Sequence, residues 1–259
     1  MNYLRRIWSL KRYGFLLEQL VRRDFKVRYR GSALGVLWSV LNPLLNMIVM
    51  SVVFSQVFRG IDNYKMYLLA GITLFNFFSE ATNLACVSVV NNFGMITKVY
   101  FPKIIIPTAR VLNSAINLVI TATVYVLIGV VTGAKLWAGY LLVPYVLVCV
   151  LLFSLGMGYI MATLFVFFRD VSHLYTVVLT IWMYATPIIY PIEVLPAWAL
   201  PIAKNNPIYV FIDFFRNITM YATMPSAASF ALCAAWALGM FLAGTAIFVI
   251  NQRKFIYYL

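Results

Sequence analysis

Acidic residues are scarce in this chain, with seven Asp and Glu against 20 Lys and Arg in 259 residues, beside one histidine and three cysteines. A membrane-embedded glycosyl- or acyltransferase needs clustered carboxylates or a His-Asp pair at one face, and seven scattered acids do not provide that. His173 stands alone, so no Cys/His set at ligand spacing is available for a metal. No phosphate loop of the form G-x-x-x-x-G-K-S/T occurs, which excludes nucleotide binding of that kind. Cys86, Cys149 and Cys233 all fall inside apolar runs, where thiols pack as small hydrophobes, and no disulfide framework is implied.

What the chain has in quantity is apolar surface: 64% of its residues are hydrophobic and 10% charged. That balance describes a polytopic membrane protein and lies far from soluble globular domains. The formal charge of +13 reads as membrane topology, because nucleic-acid binders carry their basic patches on a polar, soluble exterior. Nine Lys or Arg residues precede Ala33, and the apolar run that follows is too long for a cleaved secretory signal. It reads as a retained first span.

Windows of about 20 apolar residues predict an all-α integral membrane protein with six transmembrane helices, at 34–58, 66–90, 104–132, 139–168, 171–191 and 226–250. The division between the fourth and fifth rests on one polar cluster, "FRDVSH" at Phe168 to His173. With the N-terminus inside, Lys and Arg divide fifteen to the cytoplasmic side and five to the outer side, namely Arg59, Lys65, Lys135, Lys204 and Arg216. That bias places both termini in the cytoplasm. The connection from Ile192 to Pro225 carries two apolar pieces, "VLPAWALPI" and "NPIYVFIDFF", each too short to cross. They read as short re-entrant or interfacial helices between spans five and six, or as an amphipathic loop on the lipid.

In the leader, Leu17, Val21 and Phe25 recur at helical spacing beside a basic stripe of Arg22, Lys26 and Arg30. This predicts an amphipathic helix in the cytoplasmic interface, with basic side chains reaching to anionic headgroups, or simply a topological anchor. Within the spans, Asn42 and Asn46 lie four apart beside Pro43, Asn76, Glu80 and Asn83 share a face, and Asn113, Asn117 and Thr121 share another. Such stripes should face other helices or a hydrated path. Glu80 is the one carboxylate deep inside a span. It is either a substrate-contacting group or one half of an internal lock, with Arg110 as the expected partner. Ser154, Gly158 and Ala162, and Ala235, Gly239 and Ala243, have the spacing of close helix seams. Trp38, Phe75, Phe78, Trp182 and Tyr184 sit within spans beside amide side chains, as lipid-facing rings or as a wall for sugars.

Four stretches together resemble the membrane subunit of bacterial ABC exporters of the ABC-2 type, in the branch that exports polysaccharides such as O-antigen, capsule and teichoic acid. They are "RRDFKVRYRGSALGVLWSVLNPLL" from Arg22, "NNFGMITKVYFPKIIIP" from Asn91, "FFRDVSHLYTVVLTIWMYATPIIYPIEVLP" from Phe167 and "NNPIYVFIDFFRN" from Asn205. The resemblance covers nearly the whole chain. It implies a cytoplasmic amphipathic interface segment at 1–33, followed by an ABC-2 type transmembrane domain at 34–259.

The resemblance further implies that Arg22, Lys26, Arg28 and Arg30 lie where an undecaprenyl-type lipid-linked glycan is loaded. Trp38, Asn42, Phe75, Asn76, Phe78, Glu80, Asn83, Trp182 and Tyr184 are then candidates for the channel lining. Thr97, Lys98, Tyr100 and Phe101 look like the helix that couples to an ATPase, with Arg169 and Asp170 as a second contact. Pro196, Trp198, Pro207 and Tyr209 look like the outer gate. The partners implied are a second copy of the chain, two copies of a cytoplasmic ABC ATPase that binds ATP and Mg, and membrane lipids, with no nucleic acid. The location implied is the bacterial inner membrane, and O-antigen of lipopolysaccharide is the cargo the stretches suit best. A secondary transporter or a drug-exporting ABC-2 permease is the alternative, but the chain has no sustained internal repeat, and the leader and "YATPIIYP" suit the polysaccharide branch.

Overall fold

The computed structural model describes residues 13–58, 60, 63–133 and 137–258, and these form helices joined by turns and loops, without strands. Arg59 and Lys135, used in the charge bias, lie outside the described residues, as does the leader before Tyr13. The first described helix, α1 (Gly14–Tyr29), ends in a turn where Gly31 and Gly35 take positive φ values of 77° and 48°. Only glycine adopts such angles without strain. The turn lets the chain change direction before α2 (Leu37–Phe54).

Among the described residues, four helices are long and apolar enough to cross a membrane: α2, α6 (Ile105–Val131), α7 (Val143–Phe167, with the 3-10 turn Ala138–Leu142 before it) and α11 (Ala227–Asn251). They fall within the first, third, fourth and sixth predicted spans, and the chain is a multi-pass membrane protein. The second predicted span coincides with α3 (Tyr64–Cys86), which has 23 residues and carries Lys65, Asn76, Glu80 and Asn83. Most of α3 is buried by protein, between α6 and α7, while Asn76, Glu80 and Asn83 stay half-buried and Lys65 is exposed at its start.

The fifth predicted span becomes a shorter helix, α8 (Val171–Ala185), of 15 residues. Thr186 is extended, with ψ 135°, because the ring of Pro187 excludes the α region for the residue before it. The backbone that follows is buried at Thr186, Ile188 and Ile189. Non-helical backbone at such depth is tolerated only where its polar groups find partners in the protein. Here four successive carbonyls do. Arg216 Nη1 donates to Pro187 (2.9 Å) and Nη2 to Ile188 (3.0 Å), Tyr64 Oη donates to Ile189 (2.7 Å), and Tyr67 Oη to Tyr190 (3.0 Å).

Arg216 belongs to α10 (Pro207–Thr219), the longer of two helices between α8 and α11; the other is α9 (Leu200–Asn205). Its guanidinium lies 3.4 Å over the Tyr67 ring, and Nη2 also donates to the Tyr67 carbonyl (3.1 Å). A Cβ at Gly71 would stand 3.0 Å from Nη2, so that glycine makes the space. Arg216 was counted above as an outer-loop cation. It is 2% exposed, and it serves as a hydrogen-bond clamp.

The small-residue stripe of α7 packs closely, against α3, as its spacing predicted, while α7 and α11 meet at glycines outside both stripes. α7 and α11 meet backbone to backbone at Gly156 and Gly244, where a methyl group on either would overlap the other helix. Gly239 has open space beside it, and Gly158 packs against Ala85 of α3. The helices meet where two glycines coincide, Gly156 two residues from its stripe and Gly244 one residue from the other.

Arg216→Met removes the donors to Pro187 and Ile188, and two orphaned buried carbonyls should cost about 2–5 kcal/mol. A thermal melt of the purified protein in detergent should show a markedly lower midpoint. A midpoint equal to that of the wild type would mean the clamp is dispensable.

Candidate functional site

α1 lies against α6 and turns a third face inward besides its oily and basic stripes. Leu20, Asp24 and Arg28 recur at four-residue steps, and Leu20 and Asp24 are both buried. Asp24 accepts from two arginines, Arg110 of α6 (3.0 Å) and its neighbour Arg23 (2.9 Å). Asn113 of α6 donates to the Val21 carbonyl (3.2 Å), a second tie between the same two helices.

One turn further along α1, Arg28 forms an ion pair with Glu80 of α3. Glu80 also accepts from the Ser114 hydroxyl of α6 (2.7 Å), so one carboxylate joins three helices. The hydrogen bond to Glu80 holds the Arg28 guanidinium above its usual pKa, against the lowering effect of burial. Glu80 therefore has Arg28 as its cation, where Arg110 was expected; Arg110 is engaged by Asp24.

The two ion pairs differ in access. Asp24 keeps 7% of its side chain exposed, whereas Arg28 keeps 33% and Glu80 32%. The Arg28–Glu80 pair stands on the wall of a cavity of ≈ 400 Å³ between α1, α2, α3 and α6. Its polar lining is Ser39, Asn42 and Asn46 of α2, Thr73, Asn76 and Ser79 of α3, and Ser114, Asn117 and Thr121 of α6, with Tyr29, Trp38 and Phe77 as rings. The three asparagine stripes seen in the sequence thus converge on one space.

Part of that lining is already committed. Tyr29 Oη donates to Asn117 Oδ1 (2.9 Å), and Asn46 Nδ2 donates to Asn42 Oδ1 (2.9 Å). Asn117 Nδ2 and Thr73 Oγ1 are buried without a hydrogen-bond partner. Unpaired buried polar atoms are uncommon, and two residues carrying them line this cavity.

The other expected site residues are distributed as follows. Arg22, Lys26 and Arg30 are exposed on the outer stripe of α1, with Arg22 paired to Glu18 at 2.7 Å. Trp38, Asn42, Asn76 and Glu80 line the cavity, while Phe75, Phe78, Asn83, Trp182 and Tyr184 are not in its wall. Phe75 and Phe78 are buried, and Phe78 makes ring contacts with Phe153 and Trp182. Trp182 Nε1 donates to Asn206 Oδ1 (3.0 Å), and Tyr184 is exposed.

Between α3 and α6, two short helices, α4 (Ser88–Asn91) and α5 (Phe93–Ile96), lead to an exposed run of Thr97, Lys98, Val99 and Tyr100. Phe101 is buried and anchors that run. Burial lowers the pKa of Lys103, which donates to the Gln252 carbonyl (2.9 Å). Arg169 and Asp170 are exposed, and Arg169 reaches the Tyr258 carbonyl (3.5 Å) in the C-terminal turn α12 (Phe255–Tyr258). At the far end, Pro196 and Trp198 are exposed and Pro207 and Tyr209 half-buried. No group of three or more His, Cys, Asp or Glu among the described residues is arranged to hold a metal ion.

The role of Asp24 is masked in the sequence by the basic residues around it. The available signal was a lone acid among five cations, four residues before Arg28.

Asp24→Asn should leave Arg110 without its carboxylate and cost about 2–3 kcal/mol, the low side for a broken buried pair because Arg110 keeps some solvent. Limited proteolysis in detergent should then cut α1 faster than in the wild type. Equal protection would show that the Asn113 tie alone seats the helix.

Comparison with known proteins places this arrangement in a family. Residues 16–220 match the ABC-2 type transporter family. The chain is 31% identical over 256 residues to the O-antigen export system permease protein RfbA of Myxococcus xanthus, covering 97% of this chain and 98% of that protein. A protein of the same name from Klebsiella pneumoniae is 30% identical over 220 residues, covering 82% and 83%.

Proposed function

This chain belongs to the ABC-2 type transporter family, and we propose that it is the membrane-spanning permease of an ATP-driven exporter. Its cargo is a lipid-linked polysaccharide, best read as the O-antigen of lipopolysaccharide from the names its relatives carry. Capsular polysaccharide and teichoic acid are the alternatives within the same chemistry. Two copies of the chain form the translocation path, and two cytoplasmic ATPase subunits bind ATP and Mg beneath them. The interface segment 1–33 feeds the transmembrane domain 34–259. α3 and α8 cross the bacterial inner membrane along with the four longer spans, so that both termini are cytoplasmic.

The observation that carries this reading is the pairing of Arg28 at a cavity wall on an interface helix whose stripe of Arg22, Lys26 and Arg30 faces out. Arg22, Lys26 and Arg30 form the exposed stripe that attracts an anionic headgroup to the cytoplasmic surface. Arg28 stands one step deeper, at the wall of a polar cavity that ends among amide and hydroxyl groups. A phosphate joined to a sugar is a charged head followed by a hydroxylated body, and the order of side chains suits it.

The exposed run Thr97, Lys98 and Tyr100 docks on the ATPase, seated by Phe101, with Arg169 and Asp170 as the second contact. Both contact segments touch the C-terminal residues Gln252 and Tyr258, which favours a common surface. Pro196, Trp198, Pro207 and Tyr209 belong to the outer gate, which the Arg216 clamp holds against α3.

Arg28→Gln with Arg30→Gln should lower surface glycan roughly tenfold while membrane insertion and ATPase assembly stay unchanged. Unaltered surface glycan in that variant overturns the loading reading. For coupling, Tyr100→Ala should retain the assembled complex but lose most glycan export, since an exposed aromatic anchor is the kind of residue on which interface energy concentrates. Full export in Tyr100→Ala would place the coupling contact elsewhere.

A further inference from the structure

The Arg28–Glu80 pair combines features that a purely structural ion pair would not need. It bridges α1 and α3, it lies on a cavity wall, and a third of each side chain remains exposed. One turn earlier on the same helix, the buried Asp24 already fixes α1 to Arg110 of α6. Seating of α1 is thus provided without Arg28. Glu80 is in turn oriented by Ser114, so it retains a hydrogen-bond donor if Arg28 departs. A carboxylate with a second partner is a ready leaving counter-ion, because releasing Arg28 does not strand it.

We propose that Glu80 is an exchangeable counter-ion: it occupies Arg28 in the unloaded protein and yields it to the phosphate of a lipid-borne, phosphate-linked headgroup. The inference rests on the loading reading above and deepens it, since it assigns to one carboxylate the role of setting how strongly that site takes an anion. A phosphate oxygen competes with Glu80 Oε1 for the guanidinium, and phosphate matches the planar guanidinium fork as well as a carboxylate does. Neutral lipid headgroups without an accessible anion do not displace Glu80, so the same pair discriminates as well as binds. On loading, Glu80 stays with Ser114, and α1 loses its tie to α3 while keeping its tie to α6. Loading is thereby converted into a loosening between two helices.

The test is a binding titration of geranylgeranyl pyrophosphate on the full-length protein in phosphatidylcholine nanodiscs. Arg28→Gln should weaken binding roughly tenfold or more, and Glu80→Gln should tighten it roughly three- to tenfold by removing the competing charge. The double variant should bind like Arg28→Gln alone, because no cation remains to compete for. Glu80→Asp, which keeps the charge but shortens the reach, should lie between wild type and Glu80→Gln, and it carries the test if the Gln protein is not recovered.

Weakened binding in Arg28→Gln with wild-type or weaker binding in both Glu80 variants overturns the counter-ion role and leaves the loading site standing. Wild-type affinity in Arg28→Gln overturns the loading site itself, and the inference with it. Competition by inorganic pyrophosphate as strong as that of the unlabelled isoprenyl compound would show a site for free phosphate, and would overturn the lipid-borne source.

Discussion

Four carbonyls in a row, from Pro187 to Tyr190, are released from helical bonding where the chain breaks after α8, and everything on that side of the protein is arranged around supplying their donors. Hydrocarbon offers none. The donors come from one arginine of α10 and two tyrosines of α3, so the break in α8, the seating of α10 and the position of α3 are fixed together. Among the described residues no carboxylate forms a salt bridge with Arg216; its guanidinium meets the carbonyls of Tyr67, Pro187 and Ile188 and the Tyr67 ring. That solution suits a helix that must stay put against buried backbone, where a second charge would have to be desolvated as well.

The opposite end of the molecule solves the same problem with ion pairs, and does so in two grades. Asp24 takes two arginines and is closed off, while Glu80 takes Arg28 and a hydroxyl and stays open to a cavity. The graded access follows from position: α1 runs from the protein's interior contact at Leu20 and Asp24 to the rim at Arg28 and Arg30 over little more than two turns. Sites of attachment and sites of exchange therefore sit on one face of one short helix.

Much of this was legible in the sequence, and the failures are instructive. Apolar length found α2, α6, α7 and α11 because it reports a property of each segment alone. The stripes of Asn42 and Asn46, of Asn76 and Glu80, and of Asn117 and Thr121 were visible at helical spacing, and they do meet in one cavity. Partner choice was not legible: Asp24 and Glu80 both lie far in sequence from Arg110, and only the packing of α1 on α6 and α3 gives Arg110 to Asp24 and Arg28 to Glu80. The same holds for Arg216, whose burial depends on a break elsewhere in the chain, and for Gly156 and Gly244, where contact requires both helices at once. Phe75 and Phe78 illustrate a further limit, since an aromatic within a span has the same pattern whether it faces a path or the core.

The contact of α7 with α11 constrains how the protein can change shape. At Gly156 and Gly244 the two backbones touch with no side chain between them, so sliding one helix past the other would drive carbonyls into each other, and Tyr159 packs on Phe241 and Phe248 alongside. These two helices move as one rigid bar. α2 buries only 11% of its apolar window inside the chain, and α8 stops short at a proline. Helix displacement within the chain falls to α2 and α8 about that bar, so a conformational probe placed on the bar should stay silent while one on α2 or α8 reports a change of shape.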